Sequence, residues 1–277
     1  MGYLLLALGC SVMISTVMRL SGRFVRNEMA MFLGNYATCL VLALSFLRKL
    51  PSAAGEGGLF ALLLGMVNGA FYLWGFVLLR VNMQENGLVL PSTFMKLGIV
   101  LVPTILAVTV LGEQASWMQL IGIALAVGAI LVMREKENRR GGKKSLLLLL
   151  LLVSGIGDAA SNLYDKLGAS TRKDDFLTFL FLTAGLCALV LLMRKGERFY
   201  TKDLLFGVLI GIPNYFSARF FLSCLSTVPA LIAYPVNSVG SILVVTLIGV
   251  FFFHEKLTER KWVALGLIAL SLILLNL

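Results

Sequence analysis

Apolar residues fill the chain in ten runs, about 3–19, 29–47, 58–80, 87–111, 116–133, 145–165, 175–193, 203–224, 230–253 and 260–276. Each approximates the roughly 17–25 residues that a helix needs to cross a hydrocarbon layer, and the gaps are short. The pattern predicts an all-α polytopic membrane protein with ten transmembrane helices. Within the runs polar residues are unevenly spread. Side chains three, four and seven apart share a helix face, and by that test six runs carry a polar stripe. Run one has Ser11 and Ser15 leading to Arg19; run three has Asn68, Tyr72 and Gly75, continued by Asn82; run four has Ser92 and Lys96. Run six has Ser154, Asp158, Ser161, Asn162 and Asp165; run eight has Gly211, Asn214, Tyr215 and Arg219; run nine has Asn237 and Ser241. Runs five and ten are almost wholly apolar inside, and runs two and seven hold only scattered Asn, Thr, Tyr and Cys. Six helices are expected to surround a wet interior, and four to face lipid or each other.

The pattern also recurs. At an offset of 142 positions Gly65 falls on Gly207, Gly69 on Gly211, Gly98 on Gly240, Thr104 on Thr246, Glu113 on Glu255 and Ser116 on Thr258, without a gap. One offset that aligns two glycine pairs, a mid-helix glycine and a Glu-x-x-Ser/Thr helix start points to duplication. The expected organisation is a first five-helix repeat over 1–133, a basic linker over 134–144 and a second five-helix repeat over 145–277. Five helices per half make the repeat inverted.

Charge adds orientation. Only 14% of residues are charged and 59% are hydrophobic, against about a quarter charged in globular chains. Of the 24 Lys and Arg, Lys96 and Arg219 lie inside runs, and Arg48, Lys49, Lys166, Arg172 and Lys173 lie in the gaps after even-numbered runs. The other 17 lie in or beside the gaps after odd-numbered runs. The positive-inside rule then puts the linker in the cytoplasm and both termini outside. The basic excess is a topology signal and no sign of nucleic-acid binding. The first run lacks a basic leader and a small-residue cleavage site, and is expected to be a retained span. The four cysteines lie singly in apolar runs, so neither a metal site nor a disulfide framework is expected.

The two five-helix units, each with a fourth helix ending at an acidic Glu-x-x-Ser/Thr start of the fifth, resemble the EamA-type branch of the drug/metabolite transporter superfamily over the whole chain. The most specific pieces are Leu111-Gly112-Glu113 with Ser116, Gln119 and Gly122, and Glu255 with Leu257 and Thr258. His254 stands where the family often has glycine, and Ala264 where the first copy has Gly122. The resemblance implies a ten-helix carrier with a central cavity lined by helices one, three, four, six, eight and nine, the set that carries the polar stripes.

Candidate chemistry centres on Lys96. A lysine among aliphatic residues near the bilayer midplane costs several kcal/mol unless water, a counter-ion or a ligand meets it. It would bind an anion or couple a proton, and its bland reading is a fixed ion pair with Asp158. Arg219 could clamp a carboxylate or phosphate through its planar fork, or snorkel to outer headgroups. Asp158 could bind an amine, take a proton or neutralise Lys96. Asn68, Tyr72, Asn162, Asn214, Tyr215, Asn237, Ser11 and Ser15 complete the candidate substrate or coupling site, and Trp74 could pack an apolar part.

Gly155-Ile156-Gly157-Asp158 with Tyr164-Asp165 imitates an intramembrane aspartyl protease. Two aspartates seven apart on one helix lie about 10 Å apart along its axis, too far for a dyad sharing a proton. His254-Glu255-Lys256 lacks the second His of a zinc peptidase. Gly65-x-x-x-Gly69 and Gly207-x-x-x-Gly211 allow close helix approach and are expected to pack helices three and eight near the pseudo-symmetry axis. Pro91, Pro213 and Pro235 are expected to break or bend their helices.

The reading is a non-enzymatic secondary transporter of a bacterial cytoplasmic membrane. It would move a small polar or amphipathic metabolite with an anionic group by alternating access through a midplane cavity. Its partners would be that substrate, a coupling proton or cation and the lipid bilayer, with no cofactor and no nucleic acid, as monomer or homodimer. The alternatives are a flippase for a phospholipid or lipid-linked sugar, and a non-transporting scaffold or receptor.

Overall fold

The computed structural model describes residues 1–22, 24–47, 51–86, 89–132, 144–195, 198, 200–253 and 258–275. Among them are ten α-helices: α1 (Gly2–Ser21), α2 (Glu28–Phe46), α3 (Gly58–Asn86), α4 (Val89–Thr109), α5 (Trp117–Val132), α6 (Lys144–Leu167), α7 (Lys173–Lys195), α8 (Thr201–Leu225), α9 (Ala230–Phe253) and α10 (Glu259–Leu275), with a 3₁₀ turn at Ser170–Arg172. Eight contain spans long and apolar enough to cross a membrane, and α5 is a shorter apolar helix. The chain is an all-α, multi-pass membrane protein. Linker residues 134–143 and the His254-Glu255-Lys256-Leu257 segment lie outside the described residues.

The helices end where local chemistry dictates. Asn27 Oδ1 accepts the free amides of Met29 and Ala30 at the start of α2, satisfying donors that a helix N-terminus leaves unpaired. After α4 the chain leaves the helix at Gly112, whose φ of +69° suits a residue without Cβ. Ser116 and Gln119 then form a reciprocal capping box at α5: Gln119 N donates to Ser116 Oγ (3.2 Å) and Ser116 N to Gln119 Oε1 (3.0 Å).

Two features differ from the sequence expectation. Hydropathy ends run three near residue 80, but α3 continues to Asn86; its polar tail, Asn82-Met83-Gln84-Glu85, contains residues of good helix propensity that hydropathy alone discounts. Of the expected break or bend, the prolines bring no break. α8 runs through Pro213 and α9 through Pro235, Pro91 occupies the first turn of α4, where its missing N–H costs nothing, and α4 also runs through Pro103.

By their contacts the residues form two compact units, 1–73 with 163–226, and 74–162 with 227–277. Each draws helices from both sequence halves. In the first unit α8 packs on α1 and α2, and α2 also on α7. The glycine pairs seat two of its interfaces. A Cβ on Gly65 would lie 2.8 Å from Phe176 O, and one on Gly69 would collide with Leu180 O, both on α7. A Cβ on Gly207 would collide with Met31 O, and one on Gly211 would lie 2.6 Å from Thr38 Cβ, both on α2. The glycines therefore serve packing within the chain, α3 using its pair against α7 and α8 against α2. A Cβ on Gly207 would also lie 2.9 Å from Gly34 Cα, so the partners obey the same offset, Gly34 matching Phe176 and Thr38 matching Leu180. Helices α2 and α7 touch each other, as their sparse polarity suggests, yet the polar face of α2 is also buried on α8: Asn214 Nδ2 donates to Asn35 Oδ1 (3.1 Å) and Cys39 Sγ to Gly211 O (3.3 Å).

The second unit is built on α4, α5, α9 and α10. Leu97 and Val100, Ala126, Ala129 and Ile130, Val239 and Ile242, and Ile268 form one buried cluster contributed by all four. The almost wholly apolar helices α5 and α10 pack on each other, and Ser271 Oγ finds its acceptor in Gly122 O at 2.8 Å. From the loop after α4, Glu113 reaches the start of α9, where its two carboxylate oxygens accept the amides of Ala230 and Leu231, each at 3.2 Å.

Candidate functional site

In the first unit Ser11, on the polar stripe of α1, meets α8 at Ser217, which lies off the stripe of Asn214, Tyr215 and Arg219. Ser11 Oγ donates to Ala7 O (3.0 Å) and lies 3.1 Å from Ser217 Oγ, while Ser15 turns back to Ser11 O (2.9 Å). These hydroxyls are spent largely on their own helices, the usual fate of serine in an apolar span. Tyr215, buried, stacks with Phe46 at 5.8 Å between ring centres, and Tyr72 meets Tyr36 edge-on at 6.4 Å. Asn68 is fully buried on α3, and Trp74, which begins the second unit, is half exposed.

Arg219 is held within this unit. Its Nη1 donates to Tyr215 Oη (2.6 Å) and pairs with Asp174 Oδ1 (3.0 Å), and its guanidinium lies 4.5 Å from the centre of the Phe46 ring. One nitrogen of the planar fork that sequence offers as a ligand clamp is engaged by a carboxylate and a phenol of the protein itself, and the guanidinium lies over an aromatic face. A second ionic group lies nearby in sequence: Lys173 pairs with Asp165, which also accepts from Ser226 Oγ at 2.9 Å. Asp165 therefore has a structural cation for its partner.

The second unit holds Lys96, Asp158, Asn162 and Asn237, and here the partners run out. Among the described residues neither the Lys96 ammonium nor the Asp158 carboxylate has a hydrogen bond or ion pair, and the fixed pair between them is not formed. Lys96 is exposed and Asp158 half-buried. Their helices touch at this level, since Ser154 Oγ, one turn before Asp158, donates to Met95 O at 3.2 Å. Gly98 and Gly155 bring the two backbones together: a Cβ on Gly98 would collide with Leu151 O, and one on Gly155 would lie 2.6 Å from Gly98 O. From α9, Tyr234 Oη donates to the Asp158 carbonyl at 2.6 Å. Asn162, one turn after Asp158, is fully buried with neither amide atom partnered, and Asn237 Oδ1 and Thr104 Oγ1 are likewise buried without a partner. Among the described residues no cluster of His, Cys, Asp and Glu could hold a metal ion.

Residues 145–277 match the sequence model of the EamA-like transporter family. The second half of the chain is EamA-like. Solved structures agree on the fold: one, titled only "Crystal structure of protein", superposes with a TM-score of 0.72 over 100% of this chain and 98% of its own, at 12% identity. No curated protein matches the sequence. The EamA match contains Asp158, Asn162, Arg219 and Asn237, whereas Lys96 lies before it. Sequence reasoning misses Asn35 and Tyr36, which touch Asn214 and Tyr72, and the buried, unpartnered hydroxyl of Thr104. Asn35 could be found from its place one turn from Cys39 on a helix whose neighbours carry glycines, but nothing in sequence marks Thr104 as unpartnered, because a threonine in a helix ordinarily satisfies itself on the preceding turn.

Proposed function

We propose that the protein is a secondary transporter of the cytoplasmic membrane that moves a small polar or amphipathic metabolite with an anionic group by alternating access. The observation that carries the reading is Lys96: an exposed ammonium within a membrane-spanning helix, with no counter-ion among the described residues, in a chain whose second half matches the EamA-like transporter family. Such a charge is costly in hydrocarbon unless a mobile partner meets it. Lys96 serves as the anion contact, and Ser92 and Thr93 on the same helix lie within about a turn of it. Arg219, already engaged by Asp174, Tyr215 and Phe46, serves to hold α7 and α8 together rather than to bind substrate.

The test begins with thermal-shift screening of purified protein against metabolite pools, since a ligand of the folded state raises apparent stability. Transport of the identified compound is then measured in proteoliposomes. Lys96→Gln is expected to abolish transport while still purifying as a single species, and Lys96→Arg to retain part of it. Wild-type rate and affinity in the glutamine variant would remove the anion contact. Headgroup translocation in the same liposomes, with no metabolite binding, would point instead to a flippase.

A further inference from the structure

We propose that the end of the first unit formed by the α1–α2 loop, the α7–α8 loop and the first turn of α8 binds the phosphate headgroup of an anionic phospholipid. Contacts between the two loops make the surface. Asp203, fully buried in the first turn of α8, accepts the amides of Arg26 (2.9 Å) and Tyr200 (3.2 Å), and Asn27 Nδ2 donates to Arg198 O (3.3 Å). The Arg26 guanidinium lies 5.2 Å from the centre of the Tyr200 ring, and Phe24 stacks on Phe206 of α8 at 5.7 Å. Arg26, Arg198 and Lys202 are thereby carried on one stitched surface, and all three side chains are exposed.

Their charge is not answered by the protein. Among the described residues Arg26, Arg198 and Lys202 form no ion pair, whereas at the opposite end of the same unit Arg172, Lys173 and Arg219 are each paired with a carboxylate, Asp175, Asp165 and Asp174. Asp203 spends both carboxylate oxygens on backbone amides, which leaves Glu28, at the start of α2, as the exposed acid of this end among the described residues. Like charges held on one surface repel, and a shared phosphate relieves them through charge-assisted hydrogen bonds, for which the guanidinium fork is well shaped.

The surroundings select a lipid over a free anion. Phe24 is 52% exposed and Tyr200 45%, and aromatic rings at the ends of membrane spans suit the headgroup level. A free anion would leave the Phe24 ring in water, whereas a phospholipid covers it with acyl chain while its phosphate meets the cations. The surface lies in the gaps after the first and seventh apolar runs, the side that the distribution of Lys and Arg assigns to the cytoplasm, where anionic lipids give the leaflet a negative surface potential. The site is independent of which solute the protein moves.

The experiment is a lipid titration of the purified full-length protein in mild detergent, read as bound lipid by native mass spectrometry and as thermal unfolding. Phosphatidylglycerol is the probe, phosphatidylcholine the zwitterionic control and inorganic phosphate the free anion. Phosphatidylglycerol is expected to bind more tightly than phosphatidylcholine and to raise the unfolding temperature, and inorganic phosphate at the same ionic strength to leave it unchanged. Arg26→Gln, Arg198→Gln and Lys202→Gln should each weaken phosphatidylglycerol binding by about fivefold, the worth of one basic residue near an anionic surface, with phosphatidylcholine binding unaltered. Lys144→Gln, which removes an exposed cation from the second unit, should leave both lipids as they are. The comparison of lipids on the wild type needs no variant to fold. Equal affinity for the two phospholipids, or a loss in Lys144→Gln as large as in the other three, would overturn the site, and an equal rise in unfolding temperature with inorganic phosphate would overturn the choice of a lipid.

Discussion

At the scale of single residues the molecule separates charges that are answered internally from charges that are not. Glu113 belongs to the first kind. It lies in a loop, yet both carboxylate oxygens accept amides at the start of α9, where the helix dipole also favours a negative charge. Its acidity is legible in sequence as part of a repeated Glu-x-x-Ser/Thr start, but its partner is not, because the α9 terminus is more than a hundred residues away. Glu113→Ala is expected to cost about 1–2 kcal/mol, the usual loss of an N-terminal cap, and Glu113→Gln about half as much, because one oxygen acceptor survives. Denaturation in detergent checks both. Arg219 is legible as an intramembrane cation for the same reason as Lys96, and only the structure tells them apart. Asp174 and Phe46, which hold Arg219, lie on other helices, and sequence spacing carries no information about such distant neighbours.

At the scale of helices, apolar runs alone locate nearly every element, because a bilayer imposes one length on each span. They fail where a helix outlasts its apolar stretch, as α3 does. Small residues are legible as packing sites but not as pairs, since a G-x-x-x-G face states that something approaches closely without naming it. The structure names α7 for Gly65 and Gly69, and α2 for Gly207 and Gly211. A comparison of glycines tests this. Gly69→Ala and Gly207→Ala drive Cβ atoms into the backbone oxygens of Leu180 and Met31, and each is expected to cost about 1–3 kcal/mol as an overpacking change. Gly128→Ala, with nothing within 4 Å, should be neutral or stabilise by about 0.5–1 kcal/mol, the propensity gain of alanine in a helix. Equal effects at all three positions would show that helix propensity, not close approach, governs the two packed glycines.

At the scale of the whole chain, composition and repetition identify a multi-pass membrane protein, and the contacts show that each compact unit mixes helices from both sequence halves. Orientation across the membrane is a separate question, on which the distribution of Lys and Arg bears directly. We expect both termini outside and the basic linker in the cytoplasm, because 17 of the 24 Lys and Arg flank the gaps after odd-numbered runs, and translocating a cluster such as Arg134 to Lys144 is disfavoured. Single cysteines report this once Cys10, Cys39, Cys187 and Cys224 have been replaced. Cys39 is best replaced by serine, which keeps a donor for Gly211 O where the thiol now sits. In intact cells a membrane-impermeant maleimide is expected to label a cysteine placed after Leu277 and to leave one substituted for Glu137 unlabelled until the membrane is opened. The opposite pattern would place the linker outside, so the charge rule would have failed for this chain, and the ends of α6, α7 and α8 that carry the Asp165, Lys173 and Arg219 pairs would then face the cytoplasm.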